Sequence, residues 1–234
     1  LGRMNRVLEI NEADGYVRVE AGCTWADLHA ALKPKGLRTP FWGPLSGLLS
    51  TIGGGLSQHN AFFGAGTQGG SADSVLSLTV VLADGSTVVT GSAAREGAKP
   101  FFRHFGPDLT GIFLGDCGAF GFKAEAVLRL IPQPDHERWG SFAFVERSDF
   151  ARAMSEMARS GLACELFGFD PGLQKVRMKR ASMAADAKTL GKVVTGQKNF
   201  LKGLAEGARM AAAGRNFLED EAHSLHFVTE SHSK

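Results

Sequence analysis

Three consecutive glycines, Gly53–Gly55, are the feature of this sequence best suited to holding a ligand. Because glycine has no Cβ, a backbone built from it can approach a flat or phosphorylated group closely. Ser46, Ser50 and Thr51 precede the glycines and supply hydroxyl groups that can donate to such a group. The run therefore predicts a backbone cradle.

A second glycine-spaced run, Gly115–Phe122, stands immediately before another strand pattern. We interpret the two runs as two cradles around one large cofactor. Neither run is a Rossmann fingerprint, because no helix-opening Gly-x-Gly-x-x-Gly with a downstream acid is present. A Walker loop is excluded as well, because no Gly-Lys-Ser/Thr follows the glycines.

Alternating apolar and polar residues predict the strands that position these cradles. Tyr16–Glu20 has the period of a half-buried strand, and Val7–Ile10 before it is strand-like. Thr24–Asp27 is a capping box that predicts a helix through Leu32, ended by Pro34 and Gly36.

The second half of this region predicts a hairpin and one further strand. Val75–Leu82 is almost continuously apolar and predicts a buried strand, with Thr87–Thr90 as its return strand. Asp84–Gly85 between them favours a two-residue turn. A last strand runs through Ala124–Leu130 and ends at Pro132.

The pattern changes after Pro132–Pro134, where we place a domain boundary. Strands are predicted at Ser141–Val145, Ala163–Phe169 and Leu225–Thr229. A helical stripe runs through Phe150, Met154, Met157 and Ala158, with Ser148 as its cap and Gly161 as its stop. Strand, helix and strand of these lengths indicate a small α+β domain.

Composition narrows the class of protein. The 234 residues are 44% hydrophobic and 21% charged, with a net charge of +2, which is typical of ordinary globular proteins. No apolar run approaches the ~20 residues of a membrane-spanning helix, and no signal peptide opens the chain. Cys23, Cys117 and Cys164 are widely spaced and odd in number, which fits a reducing compartment, and we expect a cytoplasmic protein.

Basic residues are concentrated in one segment, residues 173–217, which we interpret as inserted helices. From Gln174 to Phe217 there are ten Lys or Arg and two acids. Such residues mostly form a solvated face, but weak docking to a membrane surface or an acidic electron acceptor stays open. Nucleic-acid binding is not predicted, because the basic residues lack interleaved aromatics. A homodimer is left open.

The order of the motifs resembles the FAD-linked oxidase family, whose flavin domain is shared with vanillyl-alcohol oxidase. Pro44–Ser46 and Ser50–Gly54 hold the positions of the family's Pro-Asp-Ser…Ser-Thr-x-Gly-Gly loop. Cys117–Phe122 fills the place of its Glu-Gly-Thr-Leu-Gly loop. Three more segments follow the family's order: Leu82–Gly85, Pro107–Phe113 and Leu128–Leu130.

The resemblance implies an α+β fold with FAD as the cofactor. A PCMH-type FAD-binding domain would cover residues 1–132, and residues 133–234 would be part of an α+β, ferredoxin-like cap domain. The family's first phosphate loop and its catalytic histidines would then lie outside the chain, which we expect to be an internal fragment. The cofactor contacts implied are Pro44, Ser46, Ser50, Thr51, Ile52, Gly53, Gly54, Gln58, His59, Asn60, Ala61, Cys117, Gly118, Gly121 and Phe122.

The implied activity is oxidation of a small 2-hydroxy acid or related alcohol by hydride transfer to flavin N5. The catalytic base is expected outside this segment, and the residues do not identify the electron acceptor. Two alternatives stay open: a non-redox transferase of the alkylglycerone-phosphate synthase type, and a flavin-fold subunit that binds without turnover. Leu45, Cys117 and Ala119 replace the family's Asp, Glu and Thr, which favours the second alternative.

Three histidines and one cysteine are candidates for catalysis or metal binding, but neither role is predicted for them. His59 is placed near the cofactor but not as a base or flavin tether. His223 and His226 are three apart in a predicted strand and point to opposite faces, so no metal site is predicted. Cys117 has no adjacent basic group except Lys123, and we expect a small packed residue rather than a reactive thiol.

Overall fold

The computed structural model describes residues 2–177 and 222–232. Its strands are β1 Val7–Asn11, β2 Tyr16–Glu20, β3 Leu37–Arg38, β4 Val75–Val81, β5 Thr87–Val89, β6 Phe122–Arg129, β7 Ile131–Pro132, β8 His136–Phe144, β9 Ala163–Phe169 and β10 His223–Ser231. Its α-helices are α1 Trp25–Leu32, α2 Ile52–Ser57, α3 Ala65–Gln68, α4 Leu109–Ile112, α5 Arg147–Ser160 and α6 Pro171–Arg177. Most of the predicted inserted segment, residues 173–217, lies outside the described residues.

Three sheets organise these strands. A five-stranded sheet has the order β1–β2–β6–β4–β5, and every neighbouring pair in it is antiparallel. β3 and β7 form a two-stranded sheet, and β8, β10 and β9 pair in that order. The predicted strands are all found, and those at β8 and β10 begin earlier than their apolar patterns suggested.

The described residues form two compact units. The first comprises Leu1–Trp139 with Ala158–Glu165 and Val228–Lys234, and the second comprises Gly140–Met157 with Leu166–Phe227. In the described part of the chain, no helix combines the length and apolar character needed to cross a membrane.

Helix α1 begins where the capping box predicts. The Thr24 side chain accepts a hydrogen bond from the Asp27 N–H at 3.1 Å. Its hydroxyl also donates to the Asp27 carboxylate at 2.7 Å. The chain then passes through a short 3₁₀ turn that contains Pro34 and ends at Gly36, whose φ of 67° suits only glycine without strain. Start and stop signals are therefore both confirmed.

The β4–β5 connection corrects the predicted turn. The Gly85 N–H donates to the Leu82 carbonyl, so Ala83 and Asp84 are the central residues of the turn. Gly85 follows them with a φ of 85°. This is a three-residue loop that places glycine at the left-handed position, rather than the two-residue turn expected from Asp84–Gly85.

The core of the first unit lies between α1, α2 and the large sheet. Trp25 and Phe41 meet edge to face, with ring centroids 4.9 Å apart. Fully buried aliphatic side chains complete the cluster: Leu28, Leu32, Ile52, Leu56, Leu78 and Leu128. This packing fixes where α1 and α2 lie against the sheet.

The second unit is held by aromatic contacts. Phe142 stacks on Phe227 with centroids 5.6 Å apart. Residue 168 packs against α5 and must be glycine, because a Cβ there would lie 2.3 Å from the Phe150 ring. Ser148 does not cap α5, since the first hydrogen bond of the helix runs from the Phe150 N–H to the Glu146 carbonyl. Ser148 thus lies within the first turn, and the predicted cap was wrong.

Candidate cofactor-binding site

The first glycine run is helical, not a loop. Thr51 is the N-cap of α2, and its hydroxyl accepts from the Gly54 N–H at 3.2 Å. Gly53–Gly55 therefore lie in the first turns of a six-residue helix. The family resemblance implied a loop at these residues, and the structure corrects that to the start of a helix.

The three glycines of α2 are needed for different reasons. A Cβ at Gly53 would lie 2.8 Å from the Ala21 Cβ, and one at Gly55 would lie 2.7 Å from the Trp25 indole nitrogen. Packing inside the protein therefore requires both. Among the described residues, a Cβ at Gly54 would approach only the Thr51 hydroxyl, at 3.1 Å, and Gly54 is exposed. Close packing among the described residues does not explain a glycine at position 54.

The second glycine run is hydrogen-bonded to the end of α2. The Gly115 N–H donates to the Leu56 carbonyl, and the Cys117 N–H donates to the Ser57 carbonyl, both at 2.9 Å. Cys117 has a φ of 52°, which is unusual for a residue with a side chain. Its side chain is exposed, so the expectation of a small packed residue was wrong.

A cleft of about 220 Å³ lies between these two segments. It brings together five of the residues predicted from the sequence: Gly53, Gly54, Gly118, Gly121 and Phe122. Three residues that the sequence did not single out complete the lining: Ala21, Ser57 and Lys123. Segments more than sixty residues apart thus form one concave surface.

The two glycines of the second segment also differ in their roles. A Cβ at Gly121 would lie 2.5 Å from a Val80 methyl carbon, so Gly121 is required by packing against β4. No atom of residues 2–177 or 222–232 lies within 4 Å of the Cβ position of Gly118, but its φ of 79° favours glycine. Gly54 and Gly118 are thus the positions where the backbone is open to an incoming group.

A buried ion pair supports the second segment. The Lys123 ammonium lies 2.6 Å from an Asp116 carboxylate oxygen, with side-chain exposures of 3% and 1%. The same carboxylate accepts from the backbone N–H groups of Gly118 at 3.0 Å and Phe120 at 3.3 Å. Burial pushes the pKa of Asp116 upward, but the bonds from Lys123, Gly118 and Phe120 outweigh it, and the pKa is lowered.

The other predicted contact residues do not line this cleft: Pro44, Ser46, Ser50, Thr51, Ile52, Gln58, His59, Asn60, Ala61 and Cys117. Ile52 is fully buried, and its N–H donates to the Cys23 carbonyl, so neither its side chain nor its N–H is free for a ligand. His59 is exposed with a φ of 47° and lies beside Gly70 and Gly115. Cofactor contact at these ten positions stays a prediction.

The histidines of β10 have separate environments. His226 makes hydrogen bonds with the hydroxyls of Ser141 at 2.7 Å and Ser224 at 2.9 Å. His223 packs against Phe150 instead, with ring centroids 5.4 Å apart. Within residues 2–177 and 222–232, no group of three potential ligands is arranged for a metal.

We expect His226 to make stability depend on pH. Burial lowers its pKa, so the unfolded chain, with a histidine pKa of about 6.5, binds the proton more readily than the folded protein. The stability that neutral His226 contributes is fully present above about pH 6.5, and it is lost as the pH falls through the lower pKa of the folded protein. Melting temperatures at pH 7.5 and 5.5 should therefore differ less in His226→Gln than in the wild type. An equal loss in both proteins would contradict this role.

Residues 1–91 match the family model described as FAD binding domain. The glycolate oxidase subunit GlcD of Bacillus subtilis is 33% identical over 135 residues, 58% of this chain and 27% of the relative. A D-lactate dehydrogenase [cytochrome] 1, mitochondrial, of Saccharomyces cerevisiae is 28% identical over 159 residues, 68% of this chain and 26% of the relative. These matches identify residues 1–91 as an FAD-binding domain of the FAD-linked oxidase family. It spans about a quarter of the length of these two relatives.

The fold of this FAD-linked oxidase segment agrees with a solved member. An alkyldihydroxyacetonephosphate synthase structure superposes with a TM-score of 0.69 at 19% identity, covering 99% of this chain and 37% of that one. At this identity the match shows the fold. The predicted α+β, PCMH-type architecture is confirmed.

FAD is the cofactor of this domain, and the residues of the cleft fit it. The open faces of Gly54 and Gly118 leave room for a ligand against the backbone. The cleft is smaller than the ~300–1,000 Å³ of typical ligand pockets, so it suits part of so large a cofactor.

Proposed function

We propose that this chain supplies the FAD-binding part of an oxidoreductase that acts on a small 2-hydroxy acid. The observation that supports it most is the cleft itself, in which Gly54 and Gly118 come together. Among the described residues, a side chain would meet only the Thr51 hydroxyl at position 54 and nothing at position 118. The relatives named for glycolate and D-lactate support the substrate class. Bound FAD would supply the redox chemistry by accepting a hydride at N5.

On this proposal the chain's own residues bind and orient the cofactor. The α2 segment and the Gly115–Phe122 segment each present backbone to the cleft, and hydrogen bonds between Gly115, Cys117 and α2 fix their separation. We place the FAD-binding domain at residues 1–132 and part of a substrate cap at 133–234. The base that removes the hydroxyl proton is not assigned.

Reduction of the bound flavin is the test of this function. The full-length protein should purify with the visible absorbance of oxidised flavin. Anaerobic glycolate or D-lactate should then bleach that absorbance, because electrons pass from the hydroxy acid to the flavin. Dithionite is the positive control for a reducible flavin. A yellow protein bleached by dithionite but by none of a panel of 2-hydroxy acids contradicts the proposal.

A second candidate is a non-redox transferase of the alkyldihydroxyacetonephosphate synthase type. The superposition on that enzyme over 99% of the chain favours it, although at the level of fold. The flavin absorbance distinguishes the two candidates. A transferase should bind FAD, but hydroxy acids should not bleach the absorbance of its flavin. A binding subunit without turnover would give the same spectrum and no product from either substrate class.

The name of the yeast relative bears on the electron acceptor and on the location of the protein. The yeast relative's name includes cytochrome and mitochondrial, so a haem protein is one acceptor class to test and a cytoplasmic location stays an expectation. Docking through residues 173–217 and a homodimer also remain predictions.

A further inference from the structure

We propose that Asp116 and Lys123 are positioning residues for the cofactor cleft: Asp116 holds the wall of the cleft at Gly118, and Lys123 neutralises Asp116. The inference rests on the proposed cleft as the FAD site. Asp116 lies within the second glycine run and Lys123 directly follows it, but neither was predicted as a cofactor contact. Asp116 is not among the residues that line the cleft.

Asp116 organises the segment through three bonds from one buried carboxylate. Its oxygens accept from the N–H groups of Gly118 and Phe120 and from the Lys123 ammonium. The two N–H groups belong to residues on either side of Ala119, so the carboxylate folds the segment around itself. Gly118 is at a φ of 79°, and in the part of the chain that the structure describes no side chain packs near its Cβ position. The Asp116 bond is its direct restraint.

Lys123 joins this segment to the sheet. It lies in β6, where Val80 of β4 is its register partner, and it lines the cleft beside Gly121. With 3% of its side chain exposed, its ammonium cannot be solvated freely and needs the Asp116 carboxylate. The pair therefore fixes the Gly118 wall relative to the Lys123 wall of the same cleft.

Charge balance gives the pair a second consequence for binding. FAD carries an anionic diphosphate, and an unpaired carboxylate close to the cleft would repel it. Lys123 removes that repulsion while leaving the carboxylate oxygens free to accept from the backbone. Removing the lysine should therefore weaken binding more than removing both charges together.

Two double variants separate anchoring from charge. Lys123→Met with Asp116→Asn removes both charges and keeps a side-chain acceptor for the Gly118 N–H. Lys123→Met with Asp116→Ala removes the charges and the acceptor. We expect the second to raise the FAD Kd at least tenfold over the first, measured by flavin-fluorescence titration of apoprotein. Circular dichroism should show both folded at the titration temperature.

Single variants and a control complete the test. Lys123→Met should bind FAD more weakly than its partner double with Asp116→Asn, because the lone carboxylate repels the diphosphate. Lys35→Met removes an exposed ion pair with Glu12 and should leave the Kd unchanged. If Lys123→Met does not fold, the two doubles decide. Equal Kd values for the two doubles would overturn the inference.

Failure of the cleft assignment would look different. If Gly54→Val binds FAD as well as the wild type, the cofactor is not in this cleft and the proposed function fails first. If Gly54→Val loses FAD while the two doubles bind it equally, the cleft stands and the ion pair has no positioning role.

Discussion

Gly54→Val is expected to abolish FAD binding without unfolding the protein. Gly54 is exposed and lines the cleft, and among the described residues only the Thr51 hydroxyl lies near its Cβ position, at 3.1 Å. A branched side chain there would occupy space that the cofactor needs. We expect the Kd for FAD to rise at least about 100-fold, equivalent to about 2.8 kcal/mol. The flavin-to-protein ratio after purification and a titration of apoprotein measure it.

Alanine at the neighbouring positions provides matched controls. Gly54→Ala should leave the apoprotein as stable or more stable, because alanine favours a helix interior by about 1 kcal/mol over glycine. Gly53→Ala should destabilise it by about 1–3 kcal/mol, since its Cβ would meet Ala21 at 2.8 Å. A Gly54→Val protein that purifies with an unchanged flavin ratio would refute the cleft assignment.

The sequence was sufficient for every strand except the two-residue strands β3 and β7, and for the convergence of the glycines. It was not sufficient for helix α2. Glycine disfavours helix, so Gly53–Gly55 pointed to a loop. Thr51 caps α2, and Ala21 and Trp25 require residues without side chains on its packed face. Tertiary packing thus overrides local propensity, and no local pattern reports that.

Three residues that line the cleft were not predicted from the sequence, and two of them carried no signal in it. Ala21 and Ser57 are small, and their part in the site depends on what packs against them. Lys123 did carry a signal: it lies in a strand pattern at a position that proves buried, with Asp116 seven residues before it. A buried lysine needs an acidic partner, so this pair could have been proposed from the sequence.

Glu230→Ala is expected to destabilise the first unit strongly. Arg38 of β3 and Glu230 of β10 form a two-point ion pair, with one N–O distance of 2.7 Å and a second, shorter contact between Nη2 and Oε2. Their side chains are 3% and 13% exposed, so the alanine variant leaves a buried guanidinium unpaired. We expect the free energy of unfolding to fall by about 3–5 kcal/mol.

The reason for that loss is the cost of the unpaired charge, and a double variant tests it. Arg38→Met with Glu230→Leu removes both charges and should unfold near the wild-type urea concentration, because well-packed apolar residues can replace a buried pair. Glu12→Ala breaks the exposed pair with Lys35 and should cost no more than about 1 kcal/mol. Tryptophan fluorescence reports each transition, since Trp42 lies 6.0 Å from the Arg38 guanidinium. A double variant as unstable as Glu230→Ala would mean that the pair stabilises through its specific bonds.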